Sequence, residues 1–338
     1  MSDSAPVILW FRQDLRLADN PALDAAVRQG CPILPVYVLD DENAGDWKMG
    51  AASRWWLHQS LAVLDASLKG RLVLLRGNAQ SILPELARDV QAAGVFWNRC
   101  YEPWRIARDT IIKDKLLGDS VSVKSYNGSV LFEPPNTTKP DGTPYRVFTP
   151  FYRKGCLQNG IPPRQPLQAP RDIHLYEADV GVSLDELELM PGINWYSEIS
   201  DTWSPGEDGA AERLKTFLSS GIGHYDEGRN RPDQHYVSRL SPHLHFGEIS
   251  PNQVWFAVRE KYSAGELTSD ADRFLSELGW REFSNNLLYN EPTITTDNLQ
   301  RKFDRFPWRE DDESLRCWQQ GETGYPIVDA GMRELWRT

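Results

Sequence analysis

The sequence predicts an α/β fold, with a doubly wound parallel (Rossmann-like) sheet followed by an all-α region. Short apolar runs alternate with helical patterns over roughly the first 130 residues, and only helical patterns follow Ala210. A proline-rich stretch separates the two regions. At 338 residues the chain exceeds one average domain, so we expect two cores. We therefore predict an α/β domain at 1–131, a connector at 132–209 and a helical domain at 210–338.

The first domain is predicted from its alternating elements. Val7–Phe11 is wholly apolar, which is typical of a strand buried on both faces. Asn20 before Pro21 predicts a helix start, because a capping side chain precedes a proline in the first turn. Further strands are predicted at 33–39, 71–75, 95–97 and 121–126, and helices at 51–68, 82–93 and 104–117. The sequence has no GxGxxG after the first strand and no GxxxxGKS/T motif, so it shows no recognisable dinucleotide or P-loop signature.

The rest of the chain is predicted as a connector and then helices. Proline recurs from Pro134 to Pro205, and a connector this long usually wraps a surface. Helices are predicted at 210–218, 251–262, 270–288, 312–319 and from 328 onward, without any strand after 210. The last helix reaches the chain end without a C-cap glycine or proline. We interpret this as a helix cut in mid-course, with a frayed natural end as the alternative.

Composition excludes several classes of protein. Hydrophobic residues make up 40% of the chain and charged residues 25%, as in ordinary globular proteins, and no apolar run approaches a membrane span. The first residues do not resemble a signal peptide. Four dispersed cysteines without a CxxC motif indicate reduced thiols, a cytoplasmic location and no structural zinc site. With a net charge of −11, any contact with nucleic acid requires a local basic patch.

Two segments carry residues suited to a ligand site. Ser238–Pro242 (SRLSP) combines hydroxyls and a guanidinium with a helix start, which favours an anion site, although an N-cap with a surface arginine is the simpler alternative. Tyr225 could add a stacking aromatic. On the helix over 274–285, a face carrying Phe274, Glu277, Trp280 and Arg281 is too polar for a core and too aromatic for solvent. We interpret it as a pocket wall, with a simple Glu277–Arg281 pair as the alternative.

Two further segments mix basic and aromatic residues. The segment 299–309 has three arginines and a lysine interleaved with Phe303, Phe306 and Trp308, a mixture suited to a nucleic-acid backbone, with a packing seam between the two domains as the alternative. The segment 145–154 has the same character, but we interpret it as a packing seam between the two domains. His243 and His245 are interpreted as structural, and no catalytic triad or metal-ligand set is apparent.

Four segments resemble signatures of the DNA photolyase/cryptochrome family, in the family's order. They are WFRQDLRLADNP at 10–21, SRLSPHLHFGE at 238–248, ELGWREF at 277–283 and TGYPIVDA at 323–330. The resemblance covers nearly the whole chain and is closest to a cyclobutane pyrimidine dimer photolyase. It implies an N-terminal α/β antenna domain, a C-terminal helical domain that binds FAD, and blue-light-driven DNA repair by electron transfer from reduced flavin.

The resemblance also implies roles for individual residues. Carried over by position, the FAD-binding residues are Tyr225, Val237, Ser238, Arg239, Leu240, Ser241, Phe274, Glu277 and Arg281. UV-damaged DNA is expected to contact Arg229, Glu277, Trp280, Arg281 and Ser284. Glu277 and Trp280 are expected to act on the lesion, with Trp280 stacking on the flipped-out dimer, and Trp308 to end a tryptophan electron-transfer chain.

Some features depart from the family pattern. Val237 and Phe274 stand where relatives often have Thr and Trp, and the chain ends before the relatives' GWMHNR segment, which suggests truncation at the C-terminus. The residues that hold a folate in some relatives are not matched around Tyr101, so methenyltetrahydrofolate, a deazaflavin or no antenna chromophore are all open. The alternatives to a photolyase are a cryptochrome photoreceptor without repair activity and a flavin-free fragment. A (6-4) photolyase is disfavoured, and the family default is a monomer.

Overall fold

The computed structural model describes residues 5–262 and 267–337. The chain divides into two compact units. The large unit consists of Met1–Met190 and Pro205–Pro292, and the small unit of Pro191–Ser204 and Thr293–Thr338. The four cysteines are free thiols. Among the described residues, no helix is both long and apolar enough to cross a membrane, and no cluster of side chains suits a metal ion.

A parallel sheet forms the first part of the large unit. Its strands are β1 Val7–Phe11, β2 Ile33–Leu39, β3 Val73–Arg76, β4 Gly94–Asn98 and β5 Ser122–Tyr126. The strand order is β3-β2-β1-β4-β5, so the direction of winding reverses between β1 and β4. Val7 pairs with Ile33 on one side and Gly94 on the other. The predicted α/β fold class is confirmed.

Helices cover both faces of this sheet. They are α1 Pro21–Arg28, α2 Asp41–Ala44, α3 Ala51–Ser67, α4 Ala79–Asp89 and α5 Pro103–Gly118. Asn20 caps α1 as predicted: its side chain accepts a hydrogen bond from the Leu23 backbone N–H at 3.1 Å. Trp10 and Trp97 pack edge to face inside the core, with 5.7 Å between ring centroids.

Part of the connector runs beside the sheet. The helical segments within the connector are short and include α6 Phe148–Pro150, a π-helical segment Phe151–Gln158 and 3-10 turns at Pro134–Asn136 and Asp185–Leu187. Further along the connector, Leu175 forms an isolated β-bridge with Ile33 of β2, and Val182 forms one with Leu74 of β3. The Val182 backbone N–H donates to the Leu74 carbonyl at 2.8 Å, so the connector covers the edge strand β3.

Helices make up the rest of the large unit. They are α8 Glu207–Thr216, α9 Tyr225–Gly228, α10 Ser241–Phe246, α11 Pro251–Lys261 and α12 Ser269–Asn290, preceded along the chain by α7 Ser197–Thr202 of the small unit. The long helix α12 buries Phe274, Leu275 and Leu278 in a second core. Gly279 allows the helix to approach Tyr152 closely, because a Cβ at this position would lie 2.6 Å from the tyrosine ring.

The small unit holds α13 Asp312–Gln320 and α14 Pro326–Arg337. The Asp329 carboxylate accepts from the Thr323 backbone N–H at 2.8 Å and from its hydroxyl at 2.6 Å. Trp336 Nε1 donates to the Gln319 carbonyl at 2.8 Å, which joins the two helices.

Candidate functional site

A cavity of about 460 Å³ lies inside the large unit. Its walls come from the loop after β1, the segment after β4, the helix α10 and one face of α12. Seven of the residues predicted to bind FAD line it, namely Tyr225, Ser238, Leu240, Ser241, Phe274, Glu277 and Arg281. The sheet and the helical region therefore build one cavity together.

The serines reach the cavity because of a tight turn before α10. Arg239 adopts a left-handed backbone conformation with φ of 51°, and Ser241 begins the helix one residue after Leu240. Ser238 and Ser241 thus both line the cavity. The side chain of Val237 is 43% exposed and does not line the cavity.

Gly247 ends α10 and fixes its position against the sheet. Its φ is 71°, and a Cβ here would lie 2.1 Å from the Gln13 carbonyl oxygen. The Leu15 backbone N–H donates to the Phe246 carbonyl at 3.2 Å. The loop after β1 therefore sets where the serine segment lies.

Arg16 is a buried cation on the cavity wall. Its guanidinium donates to the carbonyls of Gly247 at 2.8 Å, Gly128 at 2.7 Å and Asp19 at 2.8 Å. Burial lowers the pKa of Arg16, while the nearby Asp19 and Asp14 oppose that shift. Arg16 thus ties the loop after β1 to Gly128 and Gly247 at the cavity wall.

One face of α12 forms the opposite wall. Phe274, Glu277, Leu278, Arg281 and Asn285 recur at helical spacing and all line the cavity. Three of the four residues of the predicted pocket wall, Phe274, Glu277 and Arg281, thus line the cavity. The Phe274 ring packs edge to face on Tyr225, with 5.2 Å between centroids.

The charged groups of α12 do not pair as a simple helical couple. The predicted alternative of a Glu277–Arg281 pair is wrong: Glu277 accepts a hydrogen bond from Arg229, and Arg281 donates to Glu282 at 3.1 Å. Arg229 lies at the end of α9, and its guanidinium is 5.7 Å from the centroid of the Tyr225 ring.

Glu282 is a fully buried carboxylate behind this wall. It accepts hydrogen bonds from the backbone N–H groups of Leu131 at 2.7 Å and Phe132 at 3.0 Å. Burial raises the pKa of Glu282, and the neighbouring Arg281 opposes the shift. Glu282 therefore ties α12 to the connector and holds Arg281 at the cavity.

Trp280 does not line the cavity, although the sequence placed it on the same face as Glu277. Its ring stacks on Phe148, and the Phe148 ring stacks in turn on Tyr152 with 5.5 Å between centroids. Trp280 is 45% exposed, so it ends a stack of three rings at the protein surface. Ser284 is exposed on the next turn and donates to the Trp280 carbonyl at 3.0 Å.

Sequence reasoning missed several cavity residues. Arg16, Glu102 and His245 line the cavity. Desolvation and the charge of Arg105 lower the pKa of the His245 imidazole. His243, by contrast, is fully buried with its Nδ1 at 2.5 Å from a Glu248 carboxylate oxygen. The residues missed from the sheet region could not be found from spacing, since they lie far from the serine segment in sequence.

Segment 145–154 is only in part the seam that we predicted. Tyr145, Phe151 and Tyr152 are buried in the core of the helical region, but Phe148 backs Trp280. Trp308 belongs to the small unit, where it is 82% exposed and lies beside Phe306 with 4.6 Å between ring centroids.

Comparisons with known proteins identify the class. The family model described as DNA photolyase matches residues 7–171, and that described as FAD binding domain of DNA photolyase matches residues 274–338. The chain therefore belongs to the DNA photolyase family. Cryptochromes are also among the proteins to which it is similar. This confirms the resemblance drawn from the four sequence segments.

Individual relatives include both photolyases and cryptochromes. The chain is 43% identical to the deoxyribodipyrimidine photo-lyase of Agrobacterium fabrum, spanning 99% of this chain and 70% of that one. It is 37% identical to Cryptochrome-1 of Arabidopsis thaliana, spanning 98% of this chain and 50% of that one. Thus the chain spans between 50% and 70% of the length of these relatives.

Solved structures agree with the sequence comparisons. A bacterial class III photolyase from Agrobacterium tumefaciens superposes with a TM-score of 0.93 at 42% identity, covering 100% of this chain and 70% of that chain. A Synechocystis cryptochrome superposes with a TM-score of 0.85 at 28% identity, covering 100% and 72%.

Proposed function

We propose that this chain binds FAD and UV-damaged DNA and belongs to a photolyase that repairs cyclobutane pyrimidine dimers under blue light. The observation that carries this proposal is a single helix, α12, which contributes Phe274, Glu277 and Arg281 to the cavity and Trp280 to the adjacent surface. One rigid element thus presents a cofactor wall and a base-stacking ring together.

The cavity residues fit FAD by their chemistry. The Ser238 and Ser241 hydroxyls and the buried Arg16 suit a pyrophosphate and a hydroxylated chain, since these ligands accept charge-assisted hydrogen bonds. Tyr225 and Phe274 supply aromatic surface to a planar ring system. Reduced FAD held by these residues would provide an electron for dimer splitting, and the protein's own contribution is orientation and electrostatics.

The chain's own residues account for lesion recognition. The outward face of Trp280 offers a stacking platform to an extruded pyrimidine pair. The Glu277 carboxylate can accept a hydrogen bond from a pyrimidine N–H at the cavity edge. Arg229 supplies a cation for the DNA backbone next to it.

A cryptochrome photoreceptor is the second candidate, favoured by the 37% identity to two Arabidopsis cryptochromes. A repair assay with dimer-bearing DNA under blue light separates the two functions. Repair supports the photolyase, whereas a flavin-bound chain that leaves the dimers intact supports the photoreceptor. A purified chain that takes up no flavin supports the third alternative, a flavin-free fragment.

An antenna chromophore, whether a folate or a deazaflavin, stays a prediction. Doubly wound sheets bind ligands at the carboxyl edge where winding reverses. At that edge the loop after β1 and the segment after β4 already line the cavity described above, and the buried Arg12 and Arg108 lie 4.5 Å and 4.6 Å from the Trp10 ring centroid. No further residues are assigned to an antenna chromophore. An extra near-ultraviolet absorption band would identify an antenna held elsewhere. We further propose that the chain acts as a monomer, which sedimentation would test.

A further inference from the structure

The Arg229–Glu277 ion pair joins two side chains that the proposed function assigns to different parts of the DNA. Arg229 follows α9 and donates to Glu277 Oε1 on α12, so the pair bridges two helices. Within residues 5–262 and 267–337, neither side chain has another hydrogen-bond partner. Each group must therefore leave the other before it binds a ligand with full strength.

The Arg229–Glu277 ion pair is only partly buried. The side chains of Arg229 and Glu277 are 26% and 30% exposed, so a ligand can reach both. The hydrogen bond to Glu277 raises the pKa of Arg229. Asp226 on α9 also helps to raise the pKa of Arg229, but its carboxylate lies 3.5 Å from Arg273. Glu277 is thus the chief counter-charge of Arg229.

We propose that this ion pair is a specificity device, which rests on the proposed function: Arg229 is released to a DNA phosphate only when the lesion provides a new partner for Glu277. An undamaged duplex offers phosphate but keeps its bases stacked. Taking Arg229 then leaves the Glu277 carboxylate unpaired beside a second negative charge. An extruded dimer offers pyrimidine N–H donors to Glu277 while the backbone binds Arg229, so both groups are satisfied together.

Three variants separate pairing from charge. Glu277→Gln weakens the pair and removes a negative charge. Glu277→Asp keeps the charge but shortens the side chain by one methylene, so the carboxylate withdraws from Arg229. The matched control is Glu227→Gln on α9, which removes a charge from a side chain that is 86% exposed and lies 3.7 Å from Arg231. Binding is measured in the dark by fluorescence anisotropy, using one duplex with a single dimer and the same duplex undamaged.

Loss of the ion pair should change the affinity for the two duplexes in opposite directions. Both Glu277 variants should bind undamaged duplex about threefold more tightly than wild type, as expected for loss of a partly exposed ion pair. Both should bind the dimer-bearing duplex roughly tenfold more weakly, since a hydrogen bond to a charged group is lost or lengthened. Glu227→Gln should shift both duplexes in parallel. Adding Arg229→Gln should remove the gain for undamaged duplex.

The outcomes distinguish this proposal from the proposed function. If Glu277→Asp leaves undamaged-duplex binding unchanged and Glu277→Gln matches Glu227→Gln, the pair does not restrain Arg229 and the specificity device is overturned. If wild type binds the two duplexes equally, lesion recognition fails. Even in that case, the affinity of the Glu277 variants for undamaged duplex shows whether loss of the ion pair releases Arg229. Thermal unfolding of each variant confirms that the fold is retained.

Discussion

The indole ring of Trp280 lies flat against the phenyl ring of Phe148, with 3.8 Å between centroids and 8° between planes. Phe148 comes from the connector and Trp280 from α12, so two distant parts of the chain build one stacking surface. Since Phe148 covers one face of the indole, only the other face is open to a base.

Phe148→Ala should weaken binding of dimer-bearing DNA about three- to tenfold, because the indole loses the ring that fixes its plane. Phe148→Leu, which keeps apolar volume without a flat ring, should recover only part of this loss. Dark binding by anisotropy measures the effect. The control Trp47→Ala removes an exposed aromatic from the turn Gly45–Trp47 and should leave binding unchanged. Equal binding by Phe148→Ala and wild type would contradict this role.

Ser238→Ala and Ser241→Ala should each lower flavin affinity about five- to tenfold, since each removes the hydroxyl of a residue that lines the cavity. Flavin release is followed by absorbance during dilution or dialysis. Ser219→Ala, whose hydroxyl donates to the Thr216 carbonyl on an exposed turn, is the control. An unchanged affinity in both cavity variants would remove these serines from the site.

Glu282→Gln should flatten the dependence of stability on pH. Burial raises the pKa of Glu282 in the folded state above its value in the unfolded chain. The folded state therefore holds more protons, and the Glu282 contribution to stability falls as pH rises from the ordinary glutamate pKa through the raised value. Urea unfolding at several pH values from about 4.5 upward measures this. The wild-type profile should fall relative to that of the variant, and parallel profiles would show that Glu282 does not titrate differently on folding.

Gly279→Ala should destabilise the large unit by about 1–3 kcal/mol, because the new methyl group overlaps the Tyr152 ring. The matched control is Gly331→Ala in α14, where a Cβ meets nothing within 4 Å. That substitution should be neutral or stabilise by up to about 1 kcal/mol through helix propensity. Urea unfolding compares the two, and a neutral Gly279→Ala would mean that the Tyr152 ring moves aside freely.

The sequence predicted a doubly wound parallel sheet and most of the helices because local sequence signals are strong in these elements. Wholly apolar strands such as Val7–Phe11 have one structural interpretation, and Asn20 with Pro21 marks a helix start without tertiary information. The spacing of Phe274, Glu277 and Arg281 likewise predicted a shared face, since helical periodicity fixes it.

Long-range pairing could not be predicted in the same way. Trp280 is at helical spacing from Glu277, yet its indole ring packs on Phe148 instead of lining the cavity. Phe148 lies 132 positions earlier in the sequence. Arg281 could have paired with Glu277 or Glu282, and only the position of Arg229 decides between them. His245 gave no signal because a lone histidine on a short helix fits a core or a cavity equally well.

The contact between Arg16 and Gly247 also has a consequence for biosynthesis. The two residues are 231 positions apart, and both belong to the cavity lining. At a synthesis rate of about 5–20 residues per second, the ribosome makes the second partner roughly 10 to 50 seconds after the first. The sheet therefore has time to fold while the serine segment is still being translated. Cofactor binding at this cavity is therefore a late event. Until Gly247 is made, the Arg16 guanidinium, which is buried in the folded chain, must stay hydrated or bind temporary partners.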